Sequence, residues 1–120
     1  MNDNGTRRVL IVEDDVMIRM LIEDMLADLG FAVAAQAAKV HDALAAAKTA
    51  DIDVAILDVN LSGETTGPVA EALAERGTPF VFATGYGEHG LPERFRDRPL
   101  LKKPFQIESL KRMLDTALAN

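Results

Sequence analysis

The sequence predicts an α/β fold built on a parallel sheet with helices on both faces. Three observations carry that reading: short uninterrupted apolar runs, helical patterns alternating with them, and glycine or proline at the junctions. A parallel strand buried on both faces reads as a continuous apolar run rather than an alternating one. RVLIVE (8–13), DVAILD (53–58) and PFVFAT (79–84) are three such runs.

The remaining elements follow in order. Residues 14–29 place Ile18, Leu21, Ile22, Met25 and Leu29 at helical spacing, with Arg19, Glu23 and Asp28 off that stripe. The methionines of this helix read as packing residues, and Gly30 ends it. FAVAAQ (31–36) is a weaker strand suited to a sheet edge, and VHDALAAAKTA (40–50) is helical by its alanine content. Gly67-Pro68 opens a third helix and Gly77 closes it. PLLKK (99–103) forms a short last strand, Phe105 reads as core, and residues 106–119 carry Ile107, Leu110, Leu114 and Ala117 on one helical face. Between residues 85 and 98 lie three glycines, Pro92 and mixed charge. A fourth helix there is short or disordered, with room for about one turn at 92–97.

The 120 residues suit one compact domain, and 48% hydrophobic content is enough for a packed core. The absence of cysteine excludes disulfides and thiolate metal sites and fits a reducing cytoplasm. The polar start MNDNGTRR does not resemble a signal peptide, and no apolar run approaches the roughly 20 residues that cross a bilayer. The expectation is a soluble cytoplasmic protein without membrane contact. The net charge of −6 is uneven: residues 1–67 hold 12 acids and 5 bases, residues 68–120 hold 7 acids and 8 bases. Direct DNA binding needs a basic footprint and is not expected. The acidic half invites cations, while Arg94, Arg96, Arg98, Lys102 and Lys103 form a basic cluster suited to an acidic partner. His41 and His89 fall at no motif position and read as exposed or capping residues.

In parallel α/β sheets, ligands bind at the carboxyl ends of the strands. Those ends carry Glu13, Asp14 and Asp15, then Asp58, then Thr84, then Lys103-Pro104. Clustered carboxylates repel one another, and a hard cation such as Mg²⁺ relieves that repulsion through oxygen ligands. A lysine opposite them suits a phosphoryl group, and a carboxylate beside a metal can attack phosphorus to form an aspartyl-phosphate. Asp58, at the end of the central strand, is the candidate nucleophile. Each piece has a plainer reading. The acidic trio fits a helix N-terminus, Asp58 a turn, Lys103-Pro104 a charged strand end, and Thr84 an ordinary strand residue. Their coincidence at four strand ends favours a phosphoryl site.

The segments VLIVEDD, AILDVN, FVFAT and LKKPF, in this order and spacing, resemble the receiver domain of bacterial response regulators from about residue 7 to residue 119. The resemblance implies a flavodoxin-like (βα)5 fold with strand order 2-1-3-4-5, used here without an output domain. It makes Asp58 the phospho-acceptor of a sensor histidine kinase or histidine phosphotransfer protein. Glu13 and Asp14 become the acidic pair of a Mg²⁺ site whose ligands include Asp14, Asp58 and the backbone carbonyl of Asn60. Lys103 pairs with the phosphoryl oxygens, the Thr84 hydroxyl moves to bond one of them, and Asp15 is not a direct ligand. Such a module catalyses only its own phosphorylation and dephosphorylation. It signals through protein contacts and leaves room for a weak homodimer.

The chain departs from the family pattern at several places. Ser62 stands where many receivers have proline, and LSGETTG is one residue longer, so loop 59–67 is expected to be mobile. Leu100 occupies the usual position of an aromatic switch residue. PFVFATGYG resembles the FAT GUY subclass known from alphaproteobacterial stress signalling. Tyr86 then reads either as a loop phenol or as a replacement aromatic that moves with Thr84. Other classes fit less well. A haloacid-dehalogenase-like phosphatase needs an acid where Asn60 stands. A flavodoxin-like electron carrier needs a phosphate loop where Glu13-Asp14-Asp15 stands. A receiver-like module that binds partners without phosphorylation has no evident use for Asp58, Thr84 and Lys103.

Overall fold

β1 (Arg8–Val12) and β3 (Val54–Asp58) lie side by side at the centre of a five-stranded sheet. The computed structural model describes residues 6–85, 93–98 and 100–119. The other elements are α1 (Val16–Leu29), β2 (Ala32–Ala37), α2 (Val40–Thr49), β4 (Asn60–Leu61), β5 (Glu64–Thr65), α3 (Gly67–Arg76), β6 (Phe80–Thr84), a single 3-10 turn (Glu93–Phe95), β7 (Leu100–Lys102) and α4 (Ile107–Ala119). The sheet runs β2-β1-β3-β6-β7, parallel throughout. Counted within this sheet alone, that is the order 2-1-3-4-5. The weak strand β2 is at one edge, as its composition suggests.

Side chains of a strand alternate between faces, and the core divides accordingly. Leu10, Val12, Leu57 and Phe82 pack with Ala43 and Ala47 of α2 and Val69 and Leu73 of α3. Val9, Ile11, Ile56 and Val81 pack on the other face with Ile22 and Leu26 of α1 and Leu110 and Leu114 of α4. Phe80, Phe82 and Phe95 close one end of the first cluster, with ring centroids 5.4 Å apart for Phe80–Phe82 and 5.5 Å for Phe80–Phe95. Phe105 is buried on the second face. Among the described residues, no helix is long and apolar enough to cross a membrane.

The structure revises three local expectations. Helix α1 begins at Val16 rather than at residue 14, because Asp15 caps it by accepting the N–H groups of Met17 (2.9 Å) and Ile18 (3.2 Å). Its buried stripe is centred on Ile22 and Leu26, so Leu21 is 44% exposed and Met17 80%, and Met20 is exposed as well. A step of one residue is about 100° around a helix, enough to turn Leu21 and Met17 out of the contact. Of the α1 methionines, Met25 does pack, partly buried against the second cluster. The basic cluster is also divided. Arg94 pairs with Glu71 at 2.6 Å, and the Arg98 guanidinium stacks 4.6 Å over the Phe80 ring.

Loop 59–67 carries two short strands. β4 and β5 form a tight antiparallel hairpin in which Leu61 faces Glu64 across the turn Ser62-Gly63. Both turn residues have positive φ, 50° and 92°, the backbone that matches strand twist in two-residue hairpins. The Thr66 hydroxyl is buried and donates to the carbonyls of Asp58 (2.6 Å) and Val59 (3.2 Å), tying the hairpin base to β3. Of the stretch expected to hold a short fourth helix, Glu93–Phe95 forms the 3-10 turn. Tyr86, His89 and Pro92 lie outside the described residues, as does Pro99 of the last strand segment.

Candidate functional site

The rim forms because parallel strands all end on the same side. Glu13 leaves β1 with its N–H donated to the Ala37 carbonyl at 3.0 Å. Val59, just past Asp58, donates its N–H to the Ala83 carbonyl at 3.0 Å, and Lys103 donates its own to the Thr84 carbonyl at 2.9 Å. Those backbone bonds fix where the side chains start. From there the Lys103 ammonium reaches both Glu13 Oε1, at 2.5 Å, and Asp58 Oδ2, at 2.9 Å. The Lys103–Pro104 peptide is cis.

Asp14 approaches from the side of the hairpin. Its Oδ2 accepts the Ser62 backbone N–H at 3.0 Å and the Ser62 hydroxyl at 2.8 Å. One oxygen each of Glu13, Asp14 and Asp58 lie within 4.8 Å of one another. Three carboxylates facing one lysine leave an excess of negative charge, which a divalent cation with oxygen ligands would offset. The donor set therefore fits Mg²⁺. The Asn60 side chain points elsewhere, its Oδ1 accepting the Gly63 N–H at 2.8 Å.

Electrostatics separate the members of this group. Glu13 is only 2% exposed, and burial pushes its carboxyl up to about 7. The bonds from Lys103 and the Asp15 N–H pull it back in part, and the neighbouring Asp58 charge raises it. Burial works against the Lys103 charge too, but its bonds to Glu13 and Asp58 outweigh that and hold its pKa above the usual lysine value. Lys103 thus stays charged, while burial holds Glu13 closer to its neutral form than an exposed glutamate. For Asp14 burial is again the largest single influence, yet the Ser62 side chain, with backbone donors, holds its pKa below the usual carboxylate value.

A cleft of about 550 Å³ opens over these groups, its lining combining polar residues such as Glu13, Asp14, Asp58 and Lys103 with the apolar Ile18, Leu21 and Phe105. Gly85 lines it as well. Thr84 does not: it is buried at the end of β6, one residue short of the opening. Asp15 caps α1 through its side chain and lines the same cleft. Tyr86 lies outside the described residues. Two participants escaped the sequence reading, Ser62 as a partner of Asp14 and Thr66 as a lock behind Asp58. The Ser62-Gly63 dipeptide was the available signal for a turn, but its contact with Asp14 is 48 residues distant in sequence.

The response regulator receiver domain family matches residues 9–115. The chain is 32% identical over 117 residues to the transcriptional regulatory protein PdtaR of Mycobacterium tuberculosis, an alignment covering 94% of this chain and 57% of that protein. It therefore spans little more than half the length of that relative. Among solved structures, the solution structure of SdrG from Sphingomonas melonis Fr1 matches with a TM-score of 0.84 and 46% identity, over 96% of this chain and 98% of that one. The BeF3-activated conformation of SdrG from Pseudomonas melonis Fr1 matches with a TM-score of 0.78 and 45% identity, over 95% and 98% of the two chains.

Proposed function

The chain belongs to the response regulator receiver family, and from that premise we propose that it takes a phosphoryl group onto Asp58 and signals by changing its protein contacts. The observation that carries this reading is the position of Lys103, whose ammonium bridges Asp58 and Glu13 beside the Asp14 carboxylate. An Asp58 carboxylate oxygen attacks phosphorus, and the bond from phosphorus to the donor's imidazole nitrogen breaks with its electron pair kept on nitrogen. Lys103 is already within reach of the acceptor and meets the negative charge gathering on the phosphoryl oxygens. Mg²⁺, held by Asp14, Asp58 and the Asn60 carbonyl with Glu13 beside them, supplies further positive charge to those oxygens when bound. The same residues make slow loss of the phosphoryl group to water the domain's own reaction.

Thr84 is the reader in this scheme. Its hydroxyl bonds a phosphoryl oxygen after the backbone at Gly85 changes path, and Tyr86 supplies the aromatic partner that Leu100 cannot. The donor is a sensor histidine kinase or a histidine phosphotransfer protein. An apolar patch of Val16, Met17, Met20 and Leu21, exposed on α1 beside the cleft, suits a helical donor docking over Asp58. The stretch PFVFATGYG, which resembles the FAT GUY subclass, supports a place in an alphaproteobacterial stress-signalling relay, in the cytoplasm. Asn60 is an amide bonded to Gly63, so no general acid stands two residues after Asp58 to support a phosphatase.

Transfer of labelled phosphate from a phosphohistidine protein tests this directly. Label appears on the wild-type chain with Mg²⁺, and neither with chelator nor on Asp58→Asn. Labelling of Asp58→Asn at the wild-type rate overturns the assignment.

A further inference from the structure

Ser62 is the one non-glycine residue with positive φ among those described, at 50°. Two-residue hairpins of this geometry favour Asn, Asp or Gly at that place, because a Cβ is strained there. A residue keeps such a conformation only where its surroundings over-determine it. Here the surroundings are Asp14. The Ser62 N–H and hydroxyl both donate to Asp14 Oδ2, at 3.0 and 2.8 Å, so one residue grips one carboxylate oxygen with two bonds. Oδ1 takes neither of these bonds. The neighbouring turn residue, Gly63, anchors the Asn60 side chain at 2.8 Å. The turn therefore holds, through two adjacent residues, the two ligand-bearing segments on either side of Asp58.

We infer that Ser62 is a positioning residue for the divalent cation: its hydroxyl fixes the Asp14 carboxylate in the orientation that binds metal, and the strained hairpin exists to deliver that hydroxyl. The inference rests on the Mg²⁺ reading above. Carboxylates that ligate metals are oriented by hydrogen bonds of their own, and losing such a partner costs on the order of 10–100-fold in affinity. The backbone arm survives in Ser62→Gly and Ser62→Ala, so the lower end, about 10-fold, is expected here.

Ser62→Gly separates the two roles that Ser62 could have. Glycine accepts positive φ without strain and keeps the N–H, so a residue that merely makes the turn is replaced at no loss. The measurement is a titration with MgCl₂ followed by backbone amide resonances, paired with metal-free thermal melting. Ser62→Gly is expected to melt at or above the wild-type temperature and yet bind Mg²⁺ about 10-fold more weakly. Ser62→Ala keeps the strain and loses the hydroxyl, so its affinity falls equally while its melting temperature does not rise. Wild-type or tighter Mg²⁺ affinity in both variants overturns the inference and leaves the phosphoryl site intact. Absence of any Mg²⁺ response in the wild type overturns the metal reading itself, and this inference with it.

Discussion

Lys103 donates from its ammonium to Asp58 Oδ2 at 2.9 Å, joining the ends of β7 and β3 across β6. Asp58 therefore has a positive charge beside it, and in the transfer proposed above the lysine needs only to shift along the same cleft. Lys103→Met keeps most of the stem and removes the charge. Loss of a group that stabilises developing negative charge costs on the order of 10²-fold in rate. Phosphorylation of Lys103→Met at saturating Mg²⁺ should slow by about that factor. A rate equal to wild type contradicts a role for Lys103 in transfer.

Glu13 makes the metal-free protein pH-sensitive in a definite direction. Folded, it holds a proton up to about pH 7; unfolded, only to its ordinary 4.5. The folded chain binds more protons across that window, so this group's contribution to stability falls as pH rises from 4.5 towards 7. Asp14, with its pKa lowered, is ionised in both states over the same window and adds no slope. Urea unfolding in chelator at about pH 5 and about pH 8 should show the wild type losing more stability than Glu13→Gln over that interval. Equal changes in the two proteins contradict the burial-driven shift.

Thr66 predicts a coupling between fold and site. Its buried hydroxyl holds the carbonyls of Asp58 and Val59, and Thr66→Val leaves both without that donor at nearly unchanged volume. Unfolding free energy should fall by about 1–3 kcal/mol. The same variant should phosphorylate more slowly, because the chain carrying Asp58 loses its lock. Unchanged stability in denaturant titration removes this residue from the account.

The exposed α1 patch predicts a difference between donors. Met17→Asp places a charge at the centre of that apolar surface. The rate with a phosphohistidine protein should fall relative to the rate with a small phosphodonor, since only the former needs the proposed docking on α1. A constant ratio of the two rates places the docking surface elsewhere.

Much of the site was legible in sequence because it depends on strand ends. Once RVLIVE, DVAILD, PFVFAT and PLLKK are read as parallel strands, Glu13, Asp14, Asp58 and Lys103 gather at one rim, with Thr84 ending the strand between Asp58 and Lys103. The exchange of Leu21 for Leu26 in the α1 contact was not legible, because the helical stripe fixes spacing but not which phase meets the sheet. Nor was the grip of Ser62 on Asp14. A two-residue turn can be recognised locally, whereas its docking on the β1 loop depends on β1 and β3 being neighbours and on the hairpin folding over them. Thr84 shows the same limit from the other side: its place in the chain was clear, but only packing reveals that it is buried just behind the cleft.

Acceptance of phosphate by Asp58, with Mg²⁺ in this cleft, is the step on which the proposed signalling depends. The measurement that bears on it most directly is intact mass after incubation with Mg²⁺ and a small phosphodonor, for wild type and Asp58→Asn side by side. The wild type should gain one phosphoryl group, a gain abolished by chelator and absent from Asp58→Asn. No gain in the wild type across several donors and a phosphohistidine protein, or an equal gain in Asp58→Asn, contradicts it.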